Sequence, residues 1–505
     1  MFSKTGPCIR QGRGKRRLRV PRVSGMNVRM LVNLLGRGLL FLSLAMVPCI
    51  LLSYYTRGDD LFSLVTGFLI SIVSALVMLI ASFGPTGELR HREGFLFVAL
   101  AWTLAGFLGA LPFWLSGYIP DYLDALFETV SGFTTTGATI LVQIDALPRG
   151  LLLWRSLIQW LGGMGIIVLT IAILPYLRVG GMQIFKAESP GPTVDKLKPR
   201  ITETAKLLWG IYVGLTCLEI ILLMVGGMNG FDAVCHGFTT MATGGFSVKS
   251  AGIASYNSAY IDAVITVFML LGGASFTLHY FSLSGNPGRY LRSQEFRWYI
   301  GLFVAGMVVI MWSTRSMYGS FAEILRYVSF QTASIMTTTG YATYDYTRWP
   351  AAAQMTLLFL MLVGGSTGST AGGMKVMRLG ILIKYARREI LRLIHPHAVV
   401  TIKWDRMPVS QEVLSSVVGF SIYYVLIFAI TSLILALLGV DFLTAVSAAM
   451  ASISNIGPGL ASVGPFVSYA DLPSLGKALL TFCMLVGRLE VYTVLVVLSP
   501  MFWRK

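Results

Sequence analysis

The sequence predicts an all-α polytopic membrane protein in which two N-terminal transmembrane helices precede four copies of one unit. Three observations carry this prediction. Only 12% of the 505 residues are charged and 55% are apolar, whereas a soluble globular chain carries about 25% charge. The apolar residues gather into ten segments of roughly the 20 residues that a helix needs to cross a hydrocarbon core. Between these segments a Gly-bearing polar turn recurs four times. A single water-soluble globule is excluded.

The ten segments fall near 30–55, 61–83, 95–117, 151–177, 206–227, 258–283, 297–314, 351–374, 412–438 and 474–498. Four shorter apolar stretches, near 120–133, 229–241, 320–336 and 440–454, are too short to span and read as re-entrant helices. The organisation that follows begins with a basic tail, 1–25, and the two extra helices, 26–94. The units then occupy 95–177, 206–283, 297–394 and 412–498. The tail has no periodicity and reads as solvated. Met26 heads a start typical of an inner-membrane protein. The first helix is too long, and lacks the small-residue cleavage site, for a removed signal peptide.

The basic residues set the orientation. With the N-terminus inside, the inner segments carry thirty Lys/Arg and the outer ones eight, namely Arg57, Arg149, Arg155, Lys249, Arg315, Arg326, Arg348 and Lys477. This asymmetry places both termini in the cytoplasm. It also accounts for the net charge of +17 without nucleic acid, so the expected surrounding is a lipid bilayer. The five cysteines are scattered and the five histidines form no ligand set, which argues against a disulfide framework, a zinc site or a redox centre. No Walker or dinucleotide motif is present, so no cofactor is expected. No nucleophile–base set appears in the helices, so no enzyme is expected either.

The repeat carries the functional information. The turns are Phe133-Thr-Thr-Thr-Gly-Ala138, Met241-Ala-Thr-Gly-Gly-Phe-Ser247, Met336-Thr-Thr-Thr-Gly-Tyr341 and Ser454-Asn-Ile-Gly-Pro-Gly459. Aligned on Gly137, Gly244, Gly340 and Gly457, they sit in matching units, and the preceding residues echo one another. Extended backbone at membrane depth is tolerated only where it lines a cavity or is buried in protein. Four such segments on one axis would offer carbonyl and hydroxyl oxygens to a dehydrated cation, and glycine permits the backbone angles that aim successive carbonyls inward. The short helices would point the partial negative charge of their C-terminal ends at the same place.

On these residues the chain, from Met26 onward, resembles the Trk/Ktr/HKT superfamily of potassium transporters, of the bacterial TrkH type. The resemblance implies four M1–P–M2 potassium-channel-like repeats around one central pore, with two added N-terminal helices. It implies potassium uptake across a bacterial inner membrane, potassium being the transported substrate. Its filter residues would be Thr135, Thr136 and Gly137; Ala242, Thr243 and Gly244; Thr338, Thr339 and Gly340; and Asn455, Ile456 and Gly457. The fourth strand departs furthest from Thr-Thr-Gly.

The eighth segment is interrupted by Gly364, Gly365, Ser366, Thr367, Gly368, Ser369, Thr370, Ala371, Gly372, Gly373, Met374 and Lys375. Five glycines and four hydroxyl residues in twelve positions do not make a stable lipid-exposed helix. The stretch reads as unwound chain lining the pore, and the resemblance makes 364–375 an intramembrane gating loop. Arg488 lies in the last apolar segment, where charge is costly and usually functional; the resemblance makes it a pore-facing electrostatic barrier. Glu490 is expected to face away from Arg488 toward a neighbouring helix. The resemblance further implies a homodimer docked on a separate cytosolic, nucleotide-binding TrkA-type regulatory subunit, for which the basic loops 178–206 and 375–412 offer a face. A secondary transporter of a small organic solute is the alternative, but it predicts inverted repeats, and these repeats are parallel.

Overall fold

The computed structural model describes residues 26–84, 91–177 and 197–504. The basic tail 1–25 and most of the loop 178–206 lie outside the described residues. Among those described, seven helices are long and apolar enough to cross a membrane, or nine if each of two sharply bent pairs is one span. The tenth expected segment is the interrupted one, whose first helix, Ala351–Val363, has 13 residues.

The two N-terminal spans form a hairpin. The first divides into Val28–Ala45 and Val47–Thr56 at Met46, where a proline enters the first turn of the second piece. It packs along Leu61–Ala81. The approach is close: a Cβ on Gly36 would lie 3.1 Å from the Ala75 carbonyl oxygen, the small-residue packing that membrane helices favour. Buried Asp60 ties the hairpin to the first repeat by accepting the Leu151 N–H at 2.8 Å.

Each repeat then runs from an outer helix through a short helix and an extended strand to an inner helix. The outer helices are His91–Gly109 (continued by Leu111–Leu115), Leu197–Val225, Gln294–Thr314 and Gln411–Leu437. The short helices are Tyr122–Phe133, Gly230–Met241, Phe321–Met336 and Phe442–Ser454. All four begin alike. The side chains of Asp121, Asn229, Ser320 and Asp441 each accept a backbone N–H from the first turn, satisfying donors that a helix start leaves open. These caps fix where each short helix starts.

The four repeats close into a ring because each inner helix packs on the short helix of the next repeat, and the fourth on the short helix of the first. Polar links mark these seams. Asp262 of the second inner helix pairs with Arg326 of the third short helix at 2.7 Å, and Lys477 of the fourth inner helix with Asp124 of the first short helix at 2.5 Å. The outer surface is apolar: Ile422, Leu433 and Trp312 are among many exposed large side chains. In water these would be a liability; in lipid they are solvated.

The inner helices differ from one another. The first, Arg149–Leu177, is continuous. The second breaks between Gly273 and Phe276 with a 101° bend, and the fourth breaks between Arg488 and Tyr492 with a 115° bend. The third stops at Val363, and helix resumes only at Val376. A two-stranded hairpin, Lys403–Trp404 with Met407–Pro408, follows this last helix and holds the only ladder-paired β-strands among the described residues.

Candidate functional site

The four strands share one backbone conformation. Thr135, Thr243, Thr338 and Asn455 all adopt positive φ, between 51° and 58°. Two residues later Gly137, Gly245, Gly340 and Gly457 do the same, at 80°, 77°, 83° and 98°. The residue between them donates its N–H to the last turns of the short helix in every repeat: Thr136 to Ser131, Gly244 to Thr239 and Thr339 to Ser334 at 2.8 Å, and Ile456 to Ala451 at 2.9 Å. Left-handed backbone at a β-branched threonine is strained and persists only where the surroundings over-determine it. Three of four repeats accept that cost at the same place.

This geometry corrects the alignment of the second repeat by one residue. The counterpart of Gly137, Gly340 and Gly457 is Gly245, not Gly244. Gly244 takes the place of Thr136, Thr339 and Ile456, and Ala242 that of Thr134, Thr337 and Ser454. The run Ala-Thr-Gly-Gly allows both registers, and only the φ values separate them.

The strands also close on one another in cyclic order. A Cβ on Gly137 would lie 2.1 Å from the Gly244 carbonyl oxygen, one on Gly245 1.9 Å from that of Thr339, and one on Gly340 2.0 Å from that of Ile456. Gly457 completes the circuit at 2.7 Å from the Thr136 oxygen. Four equivalent carbonyls thus crowd four equivalent glycines around one axis. Threonine hydroxyls brace the strands from within, Thr134 with Thr136 at 2.7 Å and Thr337 with Thr339 at 2.8 Å. In the fourth repeat Asn455 does this differently, its Nδ2 donating to Thr136 Oγ1 and to the Met484 carbonyl, both at 2.9 Å.

Residues 364–375 lie directly against the inner side of this ring. Thr370 Oγ1 reaches the carbonyls of Gly272 and Met241 at 3.0 and 3.1 Å, and Thr243 Oγ1 at 3.2 Å. Gly372 donates to Thr338 Oγ1 at 2.6 Å, and Gly373 to the Ser454 carbonyl at 3.0 Å. Gly364, Gly368 and Gly373 adopt positive φ, as does Lys375. The N–H of Ser366 donates to Gly273, and Gly368 accepts from Phe276, so Gly365, Ser366, Thr367, Gly368 and Ser369 fill the break in the second inner helix. Thr367 donates its N–H to Glu295 Oε1 at 2.6 Å. Buried Lys375 bonds the Ala371 carbonyl within the loop.

Arg488 reaches the same place from the opposite side. Its guanidinium donates to the Thr370 carbonyl at 2.7 Å and to that of Gly162 at 3.2 Å, and the residue is 2% exposed. It is not in mid-helix, as a continuous last segment would require, but at the final residue before the break. Glu490 and Val491 beyond it have positive φ, so helix-face reasoning fails for Glu490. Its partner nevertheless lies on a neighbouring helix: it pairs with Arg378, whose guanidinium also stacks 3.9 Å from the Phe420 ring centre.

The comparisons with known proteins agree with this architecture. The family model of TrkH, described as a cation transport protein, matches residues 61–505. The chain belongs to the TrkH family. It is 42% identical over 487 residues to the Trk system potassium uptake protein TrkH of Halomonas elongata, covering 95% of this chain and all of that one. To the protein of the same description from Escherichia coli K12 it is 44% identical over 426 residues, 83% of this chain and 87% of that one. The crystal structure of the potassium transporter TrkH from Vibrio parahaemolyticus superposes with a TM-score of 0.88 at 38% identity, covering 95% of this chain and all of that one. TrkH is a family of transport proteins, and no enzymatic chemistry is assigned to it.

Within this TrkH-family ring, several contributors escape sequence reading. Arg155, within the apolar segment 151–177, counts among the outer cations by sequence, yet it is 1% exposed in the first inner helix and pairs with buried Glu128 at 2.7 Å. Gln159 donates to the Gly244 carbonyl at 2.7 Å. Glu295 heads an outer helix and binds the loop. The signal for Arg155 and Glu128 was available, since each is a charge inside an apolar run; nothing in sequence signals Gln159 or Glu295.

Proposed function

We propose that this chain carries potassium into the cell through the ring, which acts as its selectivity filter, with residues 364–375 and Arg488 as the gate. The observation that supports the filter most is the cyclic contact of four left-handed glycines with four equivalent carbonyls. Such a cage can replace a hydration shell and discriminate by cavity size and carbonyl field. The corrected filter set is Thr135, Thr136 and Gly137; Thr243, Gly244 and Gly245; Thr338, Thr339 and Gly340; and Asn455, Ile456 and Gly457. Flux of potassium, rubidium and sodium into proteoliposomes tests the reading. Potassium and rubidium should pass and sodium should not; equal passage of all three would refute it.

Support for the gate comes from hydrogen bonds that join the loop to the second, third and fourth repeats, while Arg488 joins it to the first. A buried cation at that point repels a permeating cation, and the loop occupies space beneath the ring. Opening then requires the loop to leave both Glu295 and Arg488.

A homodimer with a cytosolic nucleotide-binding regulatory subunit of the TrkA type, in the inner membrane with both termini cytoplasmic, completes the proposal. The basic helix Val376–Ile394 runs directly from the loop, so a partner bound there would pull on the gate. Arg388 is 8% exposed and paired with Glu389, so it serves packing rather than docking. Reversing Arg387 and Arg392 to Glu should weaken co-purification with the regulatory subunit, and more so at low salt, because complementary charge steers such association. Undiminished binding would remove this helix as the docking face.

A further inference from the structure

One seam of the ring is built unlike the other three. Gly162, Gly272 and Gly487 occupy matching places on their inner helices: a Cβ on each would meet the carbonyl oxygen of Phe133, Met241 or Ile453, at 1.9, 3.4 and 2.1 Å. Each of those carbonyls lies two residues before the left-handed Thr135, Thr243 or Asn455. Three positions before these glycines stand Gln159, Met269 and Met484, and three before Gly364 of the third repeat stands Met361. Seven before stand Arg155, Ile265, Leu480 and Leu357. All eight are buried. Three repeats therefore face the next strand with an aliphatic residue and a methionine, and the first repeat alone with an arginine and a glutamine.

Those two polar side chains, one helical turn apart, grip a single strand. Gln159 Nε2 donates to the Gly244 carbonyl at 2.7 Å, and its Oε1 accepts from the Phe246 N–H at 3.1 Å. Arg155 Nη1 donates to the Ser247 carbonyl at 2.8 Å, and its guanidinium lies 3.6 Å from the Phe246 ring centre. Glu128, in the short helix of the first repeat, holds Arg155 and also accepts from Thr139 Oγ1 at 3.0 Å and the Ile140 N–H at 2.9 Å. The strands leaving Gly137 and Gly245 are thus locked to each other. At the place of Glu128 the other repeats carry His236, Gln331 and Ala448, by the same register.

We propose that Gln159, with the Arg155–Glu128 pair behind it, is a specificity-determining positioning device: it holds the Gly244 carbonyl in place and so keeps the ring too wide for sodium. The carbonyl it binds is one of the four ring oxygens, and Gly244 has no side chain of its own to set its place. A carbonyl tethered by a donor cannot lean inward toward a smaller ion. The second strand lacks the threonine that braces the first and third strands at this position, and the tether substitutes for it. This inference rests on the ring acting as the filter.

The test compares Gln159→Met, which copies the other three repeats, with Gly137→Ser in the full-length protein, reading the potassium-to-sodium flux ratio and the thermal midpoint of each purified variant. Gln159→Met should lower the ratio roughly fivefold, the equivalent of the one neutral hydrogen bond lost at the Gly244 carbonyl, while the purified variant keeps a cooperative thermal transition. Glu128→Ala with Arg155→Leu, copying the fourth repeat, should lower it in the same direction. If that double variant does not fold, Gln159→Met decides. A wild-type ratio in folded Gln159→Met beside a collapsed ratio in Gly137→Ser would overturn the clamp alone. Wild-type ratios in both would overturn the filter reading, and the clamp with it.

Discussion

The ring and the inner helices beneath it obey opposite rules. Across the ring, four strands of differing sequence share their φ values to within a few degrees at the left-handed residue. Beneath it, the four inner helices diverge: one is straight, two are bent and one is unwound. An ion on the axis samples all four strands at once, so departure in any one spoils the cage for the whole. Closure needs only one obstruction, and a single loop with a single arginine can supply it. The ring, with the side chains that hold its strands, is therefore where small changes should be costly, and the breaks and the loop beneath it are where they should alter rate and leave ion preference intact.

The largest effect is expected in the ring. Serine at Gly137, Gly245 or Gly340 must place a Cβ about 2 Å from a backbone oxygen in a conformation that also costs an L-residue roughly 1–2 kcal/mol. Sodium exclusion should collapse in each. Gly457→Ser, with 2.7 Å available, should be the mildest of the four in the same flux assay. An inverted order would break the equivalence of the strands.

Next comes the gate. Arg488→Ala, or deletion of Gly365–Gly373, should raise potassium flux at least roughly tenfold. A unit charge about 4 Å away at an effective dielectric of about 20 contributes about 4 kcal/mol, more than the roughly 1.4 kcal/mol that tenfold represents. The potassium-to-sodium ratio should stay put. A changed ratio without a changed rate would show that ring and underside are not separable.

Glu295→Gln should be gentler. It weakens the bond that Glu295 Oε1 accepts from the Thr367 N–H and should raise basal flux by roughly threefold, with ion preference again intact. The magnitude follows from losing part of a hydrogen bond worth about 1 kcal/mol. Flux at the wild-type level would assign the loop's anchoring to Arg488 alone.

The smallest effect lies at the outer rim. Asp145 accepts the Ser250 N–H at 3.0 Å and approaches Lys249 at 3.9 Å. The Ser250 side chain leads, ahead of that N–H and of Lys249, in holding the Asp145 carboxyl below the usual range. A carboxyl depressed on folding stabilises at neutral pH, and that contribution is lost as pH falls through the depressed value. The group is exposed, so Asp145→Asn should cost well under 1 kcal/mol. Its thermal midpoint should differ from wild type at pH 7 and converge with it in acid.

How much of this was legible varies with the physics involved. The short helices and the interrupted eighth segment are read from residue type and length, because membrane crossing is a local requirement; the four N-caps came only with the structure. Arg155 shows where that reading stops. A guanidinium near a segment end is placed outside by charge counting, and only the buried carboxylate of Glu128, brought from another helix, makes its interior position tolerable. The breaks after Gly273 and after Arg488 are equally silent in sequence, since their residues are compatible with a continuous span.

By itself the sequence determined that the chain lives in a membrane, that it is built from four parallel units, and that a cation is the natural guest of their turns. These follow from desolvation costs that apply residue by residue. Tertiary structure alone decided that Gly245 rather than Gly244 is the fourth member of the glycine set, that Gln159 and Glu295 matter, and that Arg488 meets the loop. Those depend on which backbone atoms face one another across repeats about a hundred residues apart, and no local free energy encodes that.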